Sequence, residues 1–196
     1  MNDTASKRLI IISGPSGVGK TTVVRKLLED CPLPLKLSVS ATTRPRRPGE
    51  VEGQNYHYLT DAEFARRREN GDFLEAIEVF GRGHWYGTLK ETVTTGLNEG
   101  NWIILEIDVE GAAAVIESYP EAITIFIHPG SLEELERRLR GRGTEDETAL
   151  RRRLEVAERE LLAVDRYEFI VENQSVEQTV EDICKLLKKA ETELNV

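Results

Sequence analysis

Apolar residues fall into short β-branched runs, separated by stretches in which they recur every three or four positions. The runs predict strands at Arg8–Ser13, Lys36–Ser40, Asp72–Phe80, Trp102–Asp108, Ala122–His128 and Glu168–Val171. The helical spacing predicts helices at Lys20–Asp30, Asp61–Asn70, Lys90–Glu99, Gly111–Ser118, Ser131–Arg140, Glu145–Val164 and Ser175–Thr192. Strand and helix alternate, which argues for an α/β fold with a parallel sheet covered by helices on both faces. No repeat or low-complexity linker divides the chain, so one domain is expected. Two stretches break the rhythm. Residues 40–89 are rich in Arg, Gly and Tyr with short strand patterns, and read as an inserted lobe. In Arg138–Leu154, two glycines and a charge cluster interrupt a helical pattern, which reads as a helical hairpin over a site. Ligands of open α/β sheets bind at the carboxyl ends of the strands, and both exceptions are expected over that edge.

The first strand runs directly into SGPSGVGKTT, Ser13–Thr22, and then into a helical pattern. Gly14, Gly19, Lys20 and Thr21 satisfy G-x-x-x-x-G-K-S/T. Without Cβ atoms in the way, backbone N–H groups from Ser16, Gly17, Val18 and Gly19 onward can converge on an anion, and the helix start adds its dipole. Lys20 supplies a point charge for the outer phosphates, while the hydroxyls of Thr21 and Thr22 stand beside them; Thr21 can ligate Mg²⁺. A nucleoside triphosphate, ATP, is expected here.

Composition narrows the partners. With 196 residues, 39% hydrophobic and 31% charged, the chain can bury one good core. Its net charge of −9 argues against nucleic acid, whose phosphates call for a basic surface. There is no apolar leader and no run of membrane-spanning length, so a cytoplasmic protein is expected. Cys31 and Cys184 sit in no metal or redox spacing and read as reduced apolar fillers. No feature marks a face for self-association, and the oligomeric state is left open.

Three further stretches carry chemistry. WIILEIDVEG delivers Glu106 and Asp108 to a strand end, where they can approach Mg²⁺ or substrate; the alternative is that they cap the helix near Gly111. Ser38–Tyr58 places Arg44, Arg46 and Arg47 among hydroxyls, and arginine forks suit a phosphate monoester. Phe73–Thr88 contains Glu75, a glycine-rich turn and Tyr86.

Together, SGPSGVGKTT, SVSATTRPRRPGE, GQNYHY, GDFLEA, WYGT, LEIDVEG and GRGTEDET…RRRL resemble guanylate kinases, in the same order and with closely similar spacing, from about Arg8 to Leu187. The resemblance implies a P-loop NTPase-type core (7–39, 90–137 and 165–196), a GMP-binding lobe (40–89) and a lid (138–164). It also implies transfer of the γ-phosphoryl group of ATP to GMP with Mg²⁺. Ser40, Arg44, Arg47, Tyr56 and Tyr86 would hold the GMP phosphate side, and Glu75, Thr88 and Asp108 would read guanine. Arg138, Arg142 and Arg153 would reach the ATP phosphates from the lid, and Asn173 would lie near adenine. Glu106 and Asp108 would join Thr21 at the metal through water. The turn from Phe80 to Tyr86 is about two residues longer than the family pattern, and Glu110 replaces a usual Gln. A related scaffold without catalysis, or a kinase for another phosphorylated acceptor, are the competing readings.

Overall fold

A computed structural model describes residues 6–78, 83–141 and 147–194. Its strands are β1 (Leu9–Ser13), β2 (Leu35–Leu37), β3 (Ala41–Thr42), β4 (His57–Tyr58), β5 (Phe73–Glu78), β6 (Trp85–Leu89), β7 (Trp102–Glu106), β8 (Ile123–His128) and β9 (Phe169–Glu172). The helices are α1 (Lys20–Asp30), α2 (Asp61–Glu69), α3 (Lys90–Asn98), α4 (Val109–Ser118), α5 (Leu132–Gly141), α6 (Glu147–Leu161) and α7 (Val176–Leu194).

Five strands form a parallel sheet in the order β2-β7-β1-β8-β9. Alternation along β1 explains the two covered faces. Ile10 and Ile12 pack with Val23, Val24 and Leu27 of α1 and with Val180, Ile183 and Leu187 of α7. Leu9 and Ile11 point the other way, into a cluster with Val93 and Leu97 of α3 and Ala112 and Val115 of α4. All four β1 side chains are fully buried, each worth about 1.5–3 kcal/mol over an exposed position. A strand buried on both faces therefore reads as an unbroken apolar run rather than an alternating one.

Residues 41–89 contain a second sheet, β4-β3-β6-β5, mostly antiparallel, with a small core of Ala41, Phe64 and Phe73. The strand expected at Lys36–Ser40 is shorter, ending at Leu37, and Ser38–Ser40 lie in no strand. It joins the parallel sheet as β2, and the chain then crosses to the second sheet as β3. Trp85–Leu89, where no strand was expected, is strand β6, whose backbone pairs with β3 and β5. β5 packs on α4, which brings the second sheet to the carboxyl edge of the first. Helices α5 and α6 pack on each other through Leu135, Leu139, Leu150 and Ala157.

Candidate active site

The phosphate loop begins where β1 ends. Gly14 has φ +142°, and a Cβ there would run into the Ile127 carbonyl oxygen on β8, so only glycine lets the loop pass the sheet. Gly19, at φ +103°, is the N-cap of α1 and gives no side-chain cap, which leaves the first amides of the helix for an anion. Lys20 folds back on the loop, its Nζ donating to the carbonyls of Gly14 and Pro15. Burial pulls its ammonium below the ordinary lysine range, and the nearby carboxylates of Glu160, Glu106 and Asp108 pull it back up.

A cavity of about 370 Å³ runs from this loop to the second sheet. At the loop end it is lined by Ser16, Gly17, Gly19, Lys20, Thr21 and Thr22. Glu106, at the end of β7, and Asp108 form one wall; the Thr21 hydroxyl donates to Glu106 Oε1. Asp108 is also the N-cap of α4, with Oδ1 accepting from the Gly111 amide at 2.8 Å, so the capping alternative holds for that oxygen.

The far end is built from β5, β6 and the loops flanking β3, with Ser40, Arg47, Tyr56, Glu75 and Tyr86 on the surface of the cavity. Glu75 is buried, and Thr88 on β6 donates to its Oε1 at 2.7 Å. Burial raises its carboxyl to about 7, with Asp108's charge adding to the rise against the Thr88 hydrogen bonds. Arg44 lies just behind Tyr86: its Nε donates to the tyrosine oxygen at 3.2 Å, its Nη2 to Glu50 at 2.8 Å, and its guanidinium stands 5.4 Å from the Tyr56 ring. The Arg44 bond, ahead of opposing burial, lowers Glu50 to about 2. Arg46 does not line the cavity.

Two of the expected lid arginines are described. Arg153 lines the cavity and donates from Nη2 to Ser16 Oγ at 3.0 Å. Arg138 sits behind the phosphate loop, its guanidinium bonded to the carbonyls of Val18 and Asn173 and to Glu134. Asn173 is likewise behind the loop, donating to the Val18 carbonyl at 2.7 Å, and Val18 is fully buried. Arg142 lies outside the described residues, as do residues 79–82 of the turn before Tyr86.

One acidic residue escaped the sequence reading. Glu160, buried near the end of α6, accepts from the Ser16 amide at 3.1 Å and lines the cavity beside Lys20. In sequence it is one of many charges on a helix, and its distance of 144 residues from Ser16 hides the contact.

The sequence profile described as guanylate kinase matches residues 6–190. The chain belongs to the guanylate kinase family. It is 57% identical over 181 residues to a guanylate kinase of Rhodopirellula baltica, covering 92% of this chain and 87% of that protein. Identity to the guanylate kinase of Thermotoga maritima is 40%, over 92% and 86% of the two chains. The crystal structure of guanylate kinase from Anaplasma phagocytophilum superposes with a TM-score of 0.75 at 32% identity, covering 92% of this chain and 84% of that one. Members phosphorylate GMP with ATP, and this chain catalyses that transfer. Among the described residues no helix is long and apolar enough to cross a membrane.

Proposed function

We propose that the two ends of the single cavity hold the two nucleotides, with ATP phosphates on the loop and the start of α1, and GMP against the second sheet. The observation that carries this reading is the continuity of the cavity from Lys20 to Glu75. Lys20 and the amides from Ser16 to Thr22 cradle the ATP phosphates, with Gly14 allowing the turn and Val18 and Asn173 bracing it from behind. Arg44 and Arg47 hold the GMP phosphate with Ser40, Tyr56 and Tyr86.

Glu75 and Thr88 read the base, assisted by the free oxygen of Asp108. Guanine presents N1–H and N2–H₂ side by side, a pair that a carboxylate accepts, and O6, which a hydroxyl can meet. Adenine lacks the 2-amino donor and would leave the carboxylate unsatisfied, costing about 1–3 kcal/mol, or roughly tenfold to hundredfold.

The donor set fits Mg²⁺. Thr21, Glu106 and Asp108 offer oxygen only, and among the described residues no three His, Cys, Asp or Glu side chains form a cage for a metal. Magnesium characteristically takes one or two protein oxygens and the substrate phosphates. Bound there, it would neutralise phosphate charge. An attacking GMP phosphate oxygen is already ionised near neutrality and needs no strong base. The protein's own task is to align the two phosphates, spread positive charge over the moving group and keep water out. Arg153 and Arg142 supply that charge from residues 138–164 acting as a lid, with Arg138 bracing the phosphate loop from behind, while residues 40–89 close as the GMP lobe on the remaining core.

The test is ADP formation from ATP and Mg²⁺ with GMP, AMP, UMP, CMP or no acceptor in parallel. Turnover with GMP that falls at least tenfold for AMP is expected. Equal turnover with AMP would remove Glu75 and Thr88 from the role of reading the base.

A further inference from the structure

Cys31 and Cys184 are 153 residues apart in sequence, yet their Sγ atoms stand 2.8 Å apart in the fold. Cys31 is buried at the C-cap of α1, its amide bonded to the Leu27 carbonyl, and Cys184 is half-buried on α7. The gap is roughly 1 Å wider than a disulfide bond, so small side-chain shifts would close it. We propose that this pair is an oxidation site that closes to an intramolecular disulfide and braces α1 against α7. Neither cysteine lines the nucleotide cavity.

The oxidant is a two-electron acceptor, either a peroxide, reduced to water, or diamide, whose N=N bond becomes a hydrazine. With diamide, the more accessible Cys184 sulfur adds to the N=N bond. The Cys31 sulfur then attacks Cys184 and releases the hydrazine, so the two thiols give up two electrons and two protons together. Burial pushes the Cys184 thiol up to about 11, which makes the first step slow at neutral pH.

Treating the folded protein with diamide should take denatured-state thiols from two to none. Intact mass should fall by two hydrogen atoms, with no chain-to-chain crosslink. A digest should contain the Cys31 and Cys184 peptides joined. The melting temperature should rise by roughly 5–10 °C, since the bond closes a very long loop, and GMP turnover should be kept. C184S should show neither the mass loss nor the rise. Separate adducts on the two cysteines, intermolecular crosslinks or two thiols left unreacted would overturn the proposal, and an unchanged melting temperature would remove the brace.

A separate observation concerns Glu160. Residues 153 and 160 lie seven apart, on one face of α6, and both grip Ser16: Arg153 through the hydroxyl and Glu160 through the amide. We infer that Glu160 is a positioning residue, an internal anion held on the phosphate loop that nucleotide phosphates displace from the Ser16 amide. This rests on the loop binding polyphosphate. The charges that act on the carboxylate are Lys20, which favours the anion, and Asp108 and Glu110, which oppose it.

Inorganic tripolyphosphate, titrated calorimetrically, tests it. E160Q keeps an acceptor for the Ser16 amide but drops the charge. It should bind tripolyphosphate about three- to tenfold more tightly than wild type while kcat for GMP falls. E160D, too short to reach the amide, should also lower kcat. Unchanged or weaker tripolyphosphate binding in E160Q overturns the inference. If wild type fails to bind tripolyphosphate at all, the loop assignment falls with it.

Discussion

Replacing Glu75 by Gln should make the ligand-free protein more stable at pH 8 and worse at choosing guanine. The carboxyl is buried, and burial lifts it from the ordinary 4.5 to about 7. Between those values the folded protein holds a proton that the unfolded chain has released, so stability falls as pH rises through that window. Above pH 7 the full penalty is present. At about 1.4 kcal/mol per tenfold, its ceiling is about 3 kcal/mol. Gln has nearly the same shape, can still accept from Thr88 and carries no charge to desolvate.

Thermal melts of wild type and E75Q without nucleotide, at pH 5 and at pH 8, isolate this effect. The expected gain at pH 8 is about half the ceiling, a rise of roughly 3–6 °C for a chain of this size. At pH 5 the two should melt nearly together, because wild-type Glu75 is then protonated. A rise of equal size at both pH values would mean that packing, not charge, set the difference. A fall at pH 8 would refute the claim that the carboxylate is held there at a cost. In turnover assays the same variant should lose tenfold or more of its preference for GMP over AMP, since the Gln amide presents donors to guanine's donors.

Three more substitutions probe the remaining parts. K20A should lose at least a thousandfold in kcat while GMP affinity, measured by titration without ATP, changes less than threefold; a parallel loss of GMP binding would contradict separate ends of the cavity. E50Q removes a carboxylate held at about 2 by Arg44. Its stabilising effect is present above the ordinary 4.5 and lost as pH falls toward 2, so E50Q should destabilise by about 1–2 kcal/mol at pH 7 and flatten that acid limb in denaturant melts. G14A should abolish ATP binding, read by fluorescence titration, because the added methyl meets the Ile127 carbonyl in a backbone conformation that alanine rarely adopts.

The parallel sheet was legible mainly through β1, β7 and β8, each an apolar run bounded by turn residues, and the phosphate loop because its glycines, lysine and threonine are contiguous. α1, predicted at Lys20–Asp30, occupies those residues, since the loop itself fixes where the helix starts. The second sheet was harder. β3 and β4 are two residues each, too short for any period, and β6 carries a glycine and polar side chains whose pairing across to β3 and β5 is decided by tertiary contact. The same limit hid Glu160 on Ser16 and Cys31 beside Cys184. Long-range pairs leave no spacing to read.

Three parts of the candidate site share one electrostatic pattern. Glu50 sits on Arg44, Glu106 on the Thr21 hydroxyl and Glu160 on the Ser16 amide. Each of these groups is suited to an oxygen of a phosphate or to a metal, and each is matched by a carboxylate oxygen from its own chain. Without such partners the buried Arg44 guanidinium would stand uncompensated, at a cost of several kcal/mol. The Glu50 carboxylate therefore compensates the buried Arg44 guanidinium from within the chain. The three carboxylates also set a threshold, because an incoming phosphate must outcompete a tethered anion. A dianionic phosphate with three oxygens can do so, whereas a single chloride or carboxylate cannot match its charge or its geometry.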